Sequence, residues 1–187
     1  TGTPAVAQFM TTYVLGDDTY DDSFSIDGPD GTFLGECGMG LSETIGVGDP
    51  KKVTAFEVWL FDKNDIRTVT KVVMSEHAFR DDALKSRLAA KGEPIMARPG
   101  DTIEMETQTL VVTARVVDMA YGGGALPPNS FFERLTIELA CFQKPARHAQ
   151  HPHIGYVSCE PCHEHIVVHP VEELLQVEIH DHCPALG

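Results

Sequence analysis

The chain of 187 residues predicts a mainly β protein, a sandwich or open barrel-like domain with one short helix, plus a small Cys/His-rich C-terminal module. Three observations lead there. Between Val53 and Gln143 several stretches alternate apolar with polar residues at the two-residue period of a strand, and β-branched and aromatic side chains concentrate in them. Clusters of Gly, Pro, Asp and Asn separate those stretches at short intervals, each residue type suited to a turn for its own reason. Near the C-terminus the composition then changes: eight of the nine histidines fall between His148 and His182.

The elements follow in order. Phe9 to Leu15 is an apolar stretch, followed by the acidic run Asp17 to Asp22 and the turn-forming Gly28-Pro29-Asp30-Gly31, so this region reads as strand, turn, strand. Phe33-Leu34 is a further short apolar piece. Val53 to Phe61 and Ile66 to Met74 form the arms of a hairpin around the turn Asp62-Lys63-Asn64-Asp65. The first arm is apolar on both faces, with Phe56, Val58 and Leu60 against Val53, Ala55 and Trp59, which marks a central strand covered on both sides. Asp81 to Lys91 switches to a helical pattern: Asp81 or Asp82 caps it, Leu84 and Leu88 share one face, and Gly92 stops it. After Pro94 and Pro99-Gly100, Thr102 to Thr109 is a strand with one wet face, and Leu110 to Val117 continues it beyond a bend. Gly122-Gly123-Gly124 and Pro127-Pro128 form a loop. Leu135, Ile137, Leu139 and Cys141 then alternate with Arg134, Thr136 and Glu138 in a half-buried strand. Residues 1–143 are thus expected to form the β-rich domain, the polar residues 144–153 a linker, and residues 154–187 the separate module.

Composition bounds the function. An apolar fraction of 42 % suffices for a core. The formal charge of −14, from 28 acidic and 14 basic residues without a Lys/Arg cluster, argues against nucleic acid or an anionic membrane as partner. No apolar run approaches the roughly 18 residues needed to span a bilayer. The chain starts at Thr1 rather than Met, which is expected of a processed chain or a fragment. Five cysteines do not make a closed disulfide framework. Cys37 and Cys141, remote from the tail, are expected as buried free thiols, or as a pair in an oxidising compartment.

The pointed chemistry is in the tail, at Cys159-Glu160-Pro161-Cys162-His163. Two thiolates separated by two residues form one half of many zinc sites, and His180, His182 and Cys183 supply the second half. Zinc takes four soft ligands at tetrahedral geometry, so Cys159 and Cys162 with Cys183 and either His180 or His182 complete a set. Such an ion would give a piece this small the stability that its own core cannot. Within the module Ile166-Val167-Val168 reads as β-like, and Pro170 opens either a helix over Val171 to Val177 or a strand over Leu174 to Ile179. The expected function on this reading is a non-enzymatic binding or assembly domain with a structural zinc site, cytoplasmic, with a protein partner or a second copy of itself.

The same pentapeptide matches the attachment pattern of c-type haem. Cys159 and Cys162 would each add to a vinyl group and His163 would bind the iron, with His169, His180, His182 or a Met opposite. That alternative implies an exported electron carrier with haem c as cofactor, although the rest of the chain is unlike a small helical cytochrome. A third reading, a metal-dependent enzyme, needs an open coordination position and a base such as Glu164 or Glu172.

Other constellations are weaker. Asp17 to Asp30 lacks the ligand order of an EF-hand, so its acidic residues are expected to solvate turns. Gly35-Glu36-Cys37-Gly38 is expected to hold a buried thiol rather than a reactive one. Gly38-Met39-Gly40 and Gly46-Val47-Gly48 do not complete a dinucleotide fingerprint. His77 beside Glu76 suggests an acid–base pair only weakly.

Overall fold

Strands whose side chains alternate between core and solvent meet as two facing sheets, a sandwich-like arrangement. The computed structural model describes residues 4–145 and, in backbone pairing, residues 157–159 and 164–166. The chain divides after Pro145 into two units, Thr1–Pro145 and Ala146–Gly187.

In the first unit, β1 (Ala7–Val14), β7 (Thr102–Glu106), β8 (Leu110–Tyr121) and β9 (Phe132–Gln143) make an antiparallel sheet in the order β1-β9-β8-β7. The second sheet has the order β2-β3-β4-β5-β6, from β2 (Asp21–Asp27), β3 (Phe33–Thr44), β4 (Val53–Asp62), β5 (Val69–Met74) and β6 (Glu93–Met96). Its pairs are antiparallel except β5–β6, which is parallel across the two short helices α1 (Glu76–Arg80) and α2 (Asp82–Leu88). In the second unit, β10 (Val157–Cys159) pairs antiparallel with β11 (Glu164–Ile166).

The alternation in β9 sends Leu135, Ile137, Leu139 and Cys141 inward. They meet Phe56, Val58 and Leu60 of β4 in one core that spans both sheets. Its centre is aromatic: Phe56 packs edge-on against Tyr13 at 4.9 Å and against Phe132 at 5.5 Å between centroids. Such tilted contacts set the attractive edge of one ring on the face of another. Burial, helped by Asp18 and Asp17, pushes the Tyr13 phenol up to about 12. The outward face of the four-stranded sheet is polar, with Arg115 on Glu138 and Arg134 on Asp118.

β4 lies third of five strands, and its outer face is covered in part. Ala55, Val72 and Met74 pack there against Ala78 of α1 and Leu88 of α2. The sequence predicts one helix opening at Asp81 or Asp82; the structure has two. Ser75 caps α1 by accepting from Ala78 N–H at 3.1 Å, and Asp81 ends α1 and caps α2 by accepting from Leu84 N–H at 3.0 Å. At five residues with one fully buried side chain, α1 is too short to carry a helical period.

Three further differences have clear causes. Ile66 is fully exposed and β5 starts only at Val69, because the Asp65 carboxylate accepts from Arg67 N–H at 3.1 Å and shapes a longer loop. Thr107–Thr109 is a full reversal rather than a bend, since Glu106 pairs with Val111 as β7 turns back into β8. Pro94 lies inside β6, which is tolerated because β6 is the edge of its sheet.

β3 is twelve residues long although it contains Gly35, Gly38 and Gly40. At Gly38 a Cβ would lie 2.2 Å from the Asp22 carbonyl oxygen and 2.7 Å from Cζ2 of Trp59. The glycine therefore marks a close approach within a strand, not a turn. Gly38→Ala is expected to lower unfolding stability by about 2–3 kcal/mol through overpacking. Urea denaturation checks this: the midpoint should fall with the slope unchanged.

Candidate functional site

The register of the second unit sets Val157 opposite Ile166, Ser158 opposite His165 and Cys159 opposite Glu164. Cys159 is therefore the last residue of β10, and the four residues Glu160, Pro161, Cys162 and His163 join it to β11. The cysteine pair of the predicted zinc or haem site thus begins at the end of a hairpin. Cys162, His163, His169, Glu172, His180, His182 and Cys183 lie outside the described residues, as do the helix and strand readings for residues 170–179.

Among the described residues no group of three or more His, Cys, Asp or Glu side chains is placed to hold a metal ion. No helix among them is long and apolar enough to cross a membrane. Within the acidic stretch, Asp18, Asp22, Asp27 and Asp30 each accept a hydrogen bond from the fold. Asp22 accepts from the Thr11 hydroxyl, and Asp18 accepts from Lys51 N–H at 3.0 Å. Asp30 accepts from Thr32 N–H at 3.0 Å and from its hydroxyl at 2.8 Å, contacts that hold its carboxyl below the usual range. Glu76 is engaged by Arg80 at 2.7 Å and by the Asn129 amide at 2.8 Å, so its carboxylate serves the base of α1.

The sequence puts Asp62 in a turn. The structure places it at the end of β4, fully buried, the one ionisable side chain of Asp, Glu, Lys, Arg or His type buried among the described residues. Oδ1 accepts from Asn64 N–H at 2.8 Å. Oδ2 accepts from the Thr107 hydroxyl at 2.8 Å, Thr109 N–H at 2.7 Å and the Thr109 hydroxyl at 2.8 Å. Burial pushes this carboxyl up, but the donors from Asn64, Thr109 and Thr107 outweigh it and hold it below the ordinary range. Asp62 belongs to the five-stranded sheet and its threonines to the β7–β8 turn, so the carboxylate ties one sheet to the other. The only hint in the sequence is Asp-x-Asn, a turn signature that hides the inward direction of the side chain.

Close to this clasp, the Gly28–Thr32 turn and Lys63-Asn64 flank an open cleft of about 440 Å³ with Leu34 and Gln143 in its walls. Its charges, Asp30 and Lys63, are of opposite sign, and nothing in it sets a nucleophile beside a base. Deeper in the core, the Cys37 and Cys141 thiols face each other at 3.7 Å. Both are free and buried, as expected from their sequence context.

Comparison with known proteins finds no matching family, no similar curated protein and no similar solved structure. Functional inference therefore rests on the chemistry of these residues.

The Asp62 clasp has a measurable acid signature. A carboxyl held below its unfolded value of about 3.9 contributes stability that is complete above that pH and lost as pH falls through the folded value. Wild-type stability is expected to decline below about pH 4, and the Asp62→Asn variant, which has no charge to lose there, should decline less steeply. Asp62→Ala, which strands the Thr107 hydroxyl and Thr109 N–H, is expected to cost about 3 kcal/mol at neutral pH. Chemical denaturation between pH 2.5 and 7 measures both.

Proposed function

We propose that this chain is a non-enzymatic binding or assembly domain whose C-terminal unit is stapled by a structural zinc ion. The observation that carries the reading is the hairpin register: Cys159 closes β10, and Cys162 follows within the four-residue connection to β11. A hairpin end that carries a cysteine pair at this spacing can present both thiolates to one ion, and Cys183 with His180 or His182 completes a tetrahedral set. Zinc held this way supplies folding free energy directly, which suits a segment too small to stabilise itself by burial.

The first unit supports the non-enzymatic half of the reading. Its buried carboxylate, Asp62, and the turn carboxylate Asp30 are committed to backbone and hydroxyl donors of the fold. For a partner, β1 is an edge of its sheet and exposes Met10 and Val14 on its outward face, at 56 % and 53 % of their surface. An edge strand offers unpaired backbone groups to a further strand, from another protein or a second copy.

Elemental analysis of natively prepared protein is expected to give about one zinc per chain and no visible absorption. Cys159→Ser and Cys162→Ser should each abolish zinc retention, and chelation should raise hydrogen exchange in residues 146–187 while leaving the melting of the sandwich unchanged. A Soret band that survives denaturation would overturn this in favour of haem attached at Cys159 and Cys162 with His163 on the iron. Spectroscopy on a cobalt-substituted sample that showed an exchangeable water ligand would favour the metal-dependent enzyme instead.

A further inference from the structure

We infer that Cys37 and Cys141 are a disulfide-forming pair that joins the two sheets of the sandwich through thiol–disulfide exchange with a small-molecule disulfide such as oxidised glutathione. Cys37 is on β3 and Cys141 on β9, so the contact between them crosses from one sheet to the other. Their sulfurs are 3.7 Å apart in the core and both residues are fully buried. A disulfide needs about 2.05 Å between sulfurs, so closing this contact moves each sulfur by less than about 1 Å. The sheets already approach closely beside the pair: a Cβ on Gly35, two residues before Cys37 in β3, would lie 2.9 Å from Cδ1 of Leu110. The inference is independent of the zinc reading, which concerns other cysteines.

The step balances without any further oxidant. The Cys141 thiolate attacks one sulfur of oxidised glutathione, forming a mixed disulfide and releasing one glutathione thiolate. The Cys37 thiolate then attacks the Cys141 sulfur, forming the Cys37–Cys141 bond and releasing the second glutathione. Two protein thiols are oxidised and one glutathione disulfide is reduced to two thiols. The contact with Cys141, then burial, pushes the Cys37 thiol up, whereas the same contact draws Cys141 down. Cys141 is on β9, paired with the edge strand β1 whose fraying exposes it, which makes it the first nucleophile and Cys37 the resolving thiol.

Access is governed by local opening. Cys141 pairs with Ala7 at the start of the edge strand β1, and Val6 N–H donates to its carbonyl at 2.8 Å. Fraying of that edge is a low-cost motion compared with global unfolding. Exchange is therefore expected to be slow in the folded protein and to quicken under conditions that loosen β1.

The test uses the full chain as natively prepared, incubated with reduced or oxidised glutathione with and without 1–2 M urea, then alkylated and digested without reduction. The expected product is the cross-linked peptide pair carrying Cys37 and Cys141. Because the bond closes a loop over a separation of 104 residues, the cross-linked form is expected to melt about 10 °C higher than the thiol form, reversibly on reduction. The Cys37→Ala/Cys141→Ala double variant should show no such shift; if it fails to fold, the wild-type peptide map and melt decide alone. Alkylation of both residues after oxidised glutathione in urea, a cross-link that leaves the melting temperature unchanged, or an equal shift in the double variant would each overturn the inference.

Discussion

One buried carboxylate holds the two sheets in register at one end of the sandwich. Asp62 sits where β4 leaves the core, and without donors its ionised form would be costly to bury. Its acceptors are met by the backbone of its own loop and by Thr107 and Thr109 of the opposite sheet. The clasp therefore fixes two turns at once. It sets where β4 ends, and it holds the tight reversal that makes β7 and β8 a hairpin. Lys63 N–H on the Leu34 carbonyl at 3.0 Å and Lys144 N–H on the Thr109 carbonyl at 2.8 Å extend the same locking to β3 and β9. Five strands from two sheets are thus referenced to one side chain. Hydrophobic burial supplies the larger share of the stability, but it is non-directional, and the clasp gives that end a unique geometry.

The rest of the core follows from how closely the strands come together. Phe56 can touch both Tyr13 and Phe132 only because β4 faces β1 and β9 across the sandwich. The glycines of β3 are part of the same constraint. Gly38 lies beneath Trp59 and against the Asp22 carbonyl, so β2, β3 and β4 stack side chains where a larger residue would force them apart. Most strands of this unit pair with a neighbour in sequence, while β1 with β9 joins residues more than a hundred positions apart, and the contacts between the sheets are likewise remote in sequence.

Those distances explain what was legible in the sequence. β9 and β4 declared themselves because alternation and two-sided apolarity are local patterns, and α2 did so through its cap and its leucine spacing. The mostly β fold was readable from these elements alone. β3 was not, because a glycine in a strand and a glycine in a turn look alike until the neighbouring carbonyl is in place. α1 and β6 were too short to show a period. Among the site residues, the Cys159–Cys162 spacing was visible because its chemistry is contiguous. The inward turn of Asp62 and the meeting of Cys37 with Cys141 depend on contacts between residues 45 or more positions apart.

Size decides how cross-links act in the two units. The sandwich buries a core of large side chains from nine strands, and its thiol pair lies inside packing that is complete with both sulfurs reduced. A bond between Cys37 and Cys141 would therefore adjust stability without being needed for the fold, and its presence can follow the redox state of the surroundings. In a stretch as short as residues 154–187 surface outweighs interior, and the proposed zinc would supply what burial cannot. On the zinc reading its cysteines and histidines are ligands first, and loss of the ion removes the folded state rather than modulating it. On the two proposals together, one pair of cysteines would answer to the thiol–disulfide balance and the cysteines of the tail to metal supply.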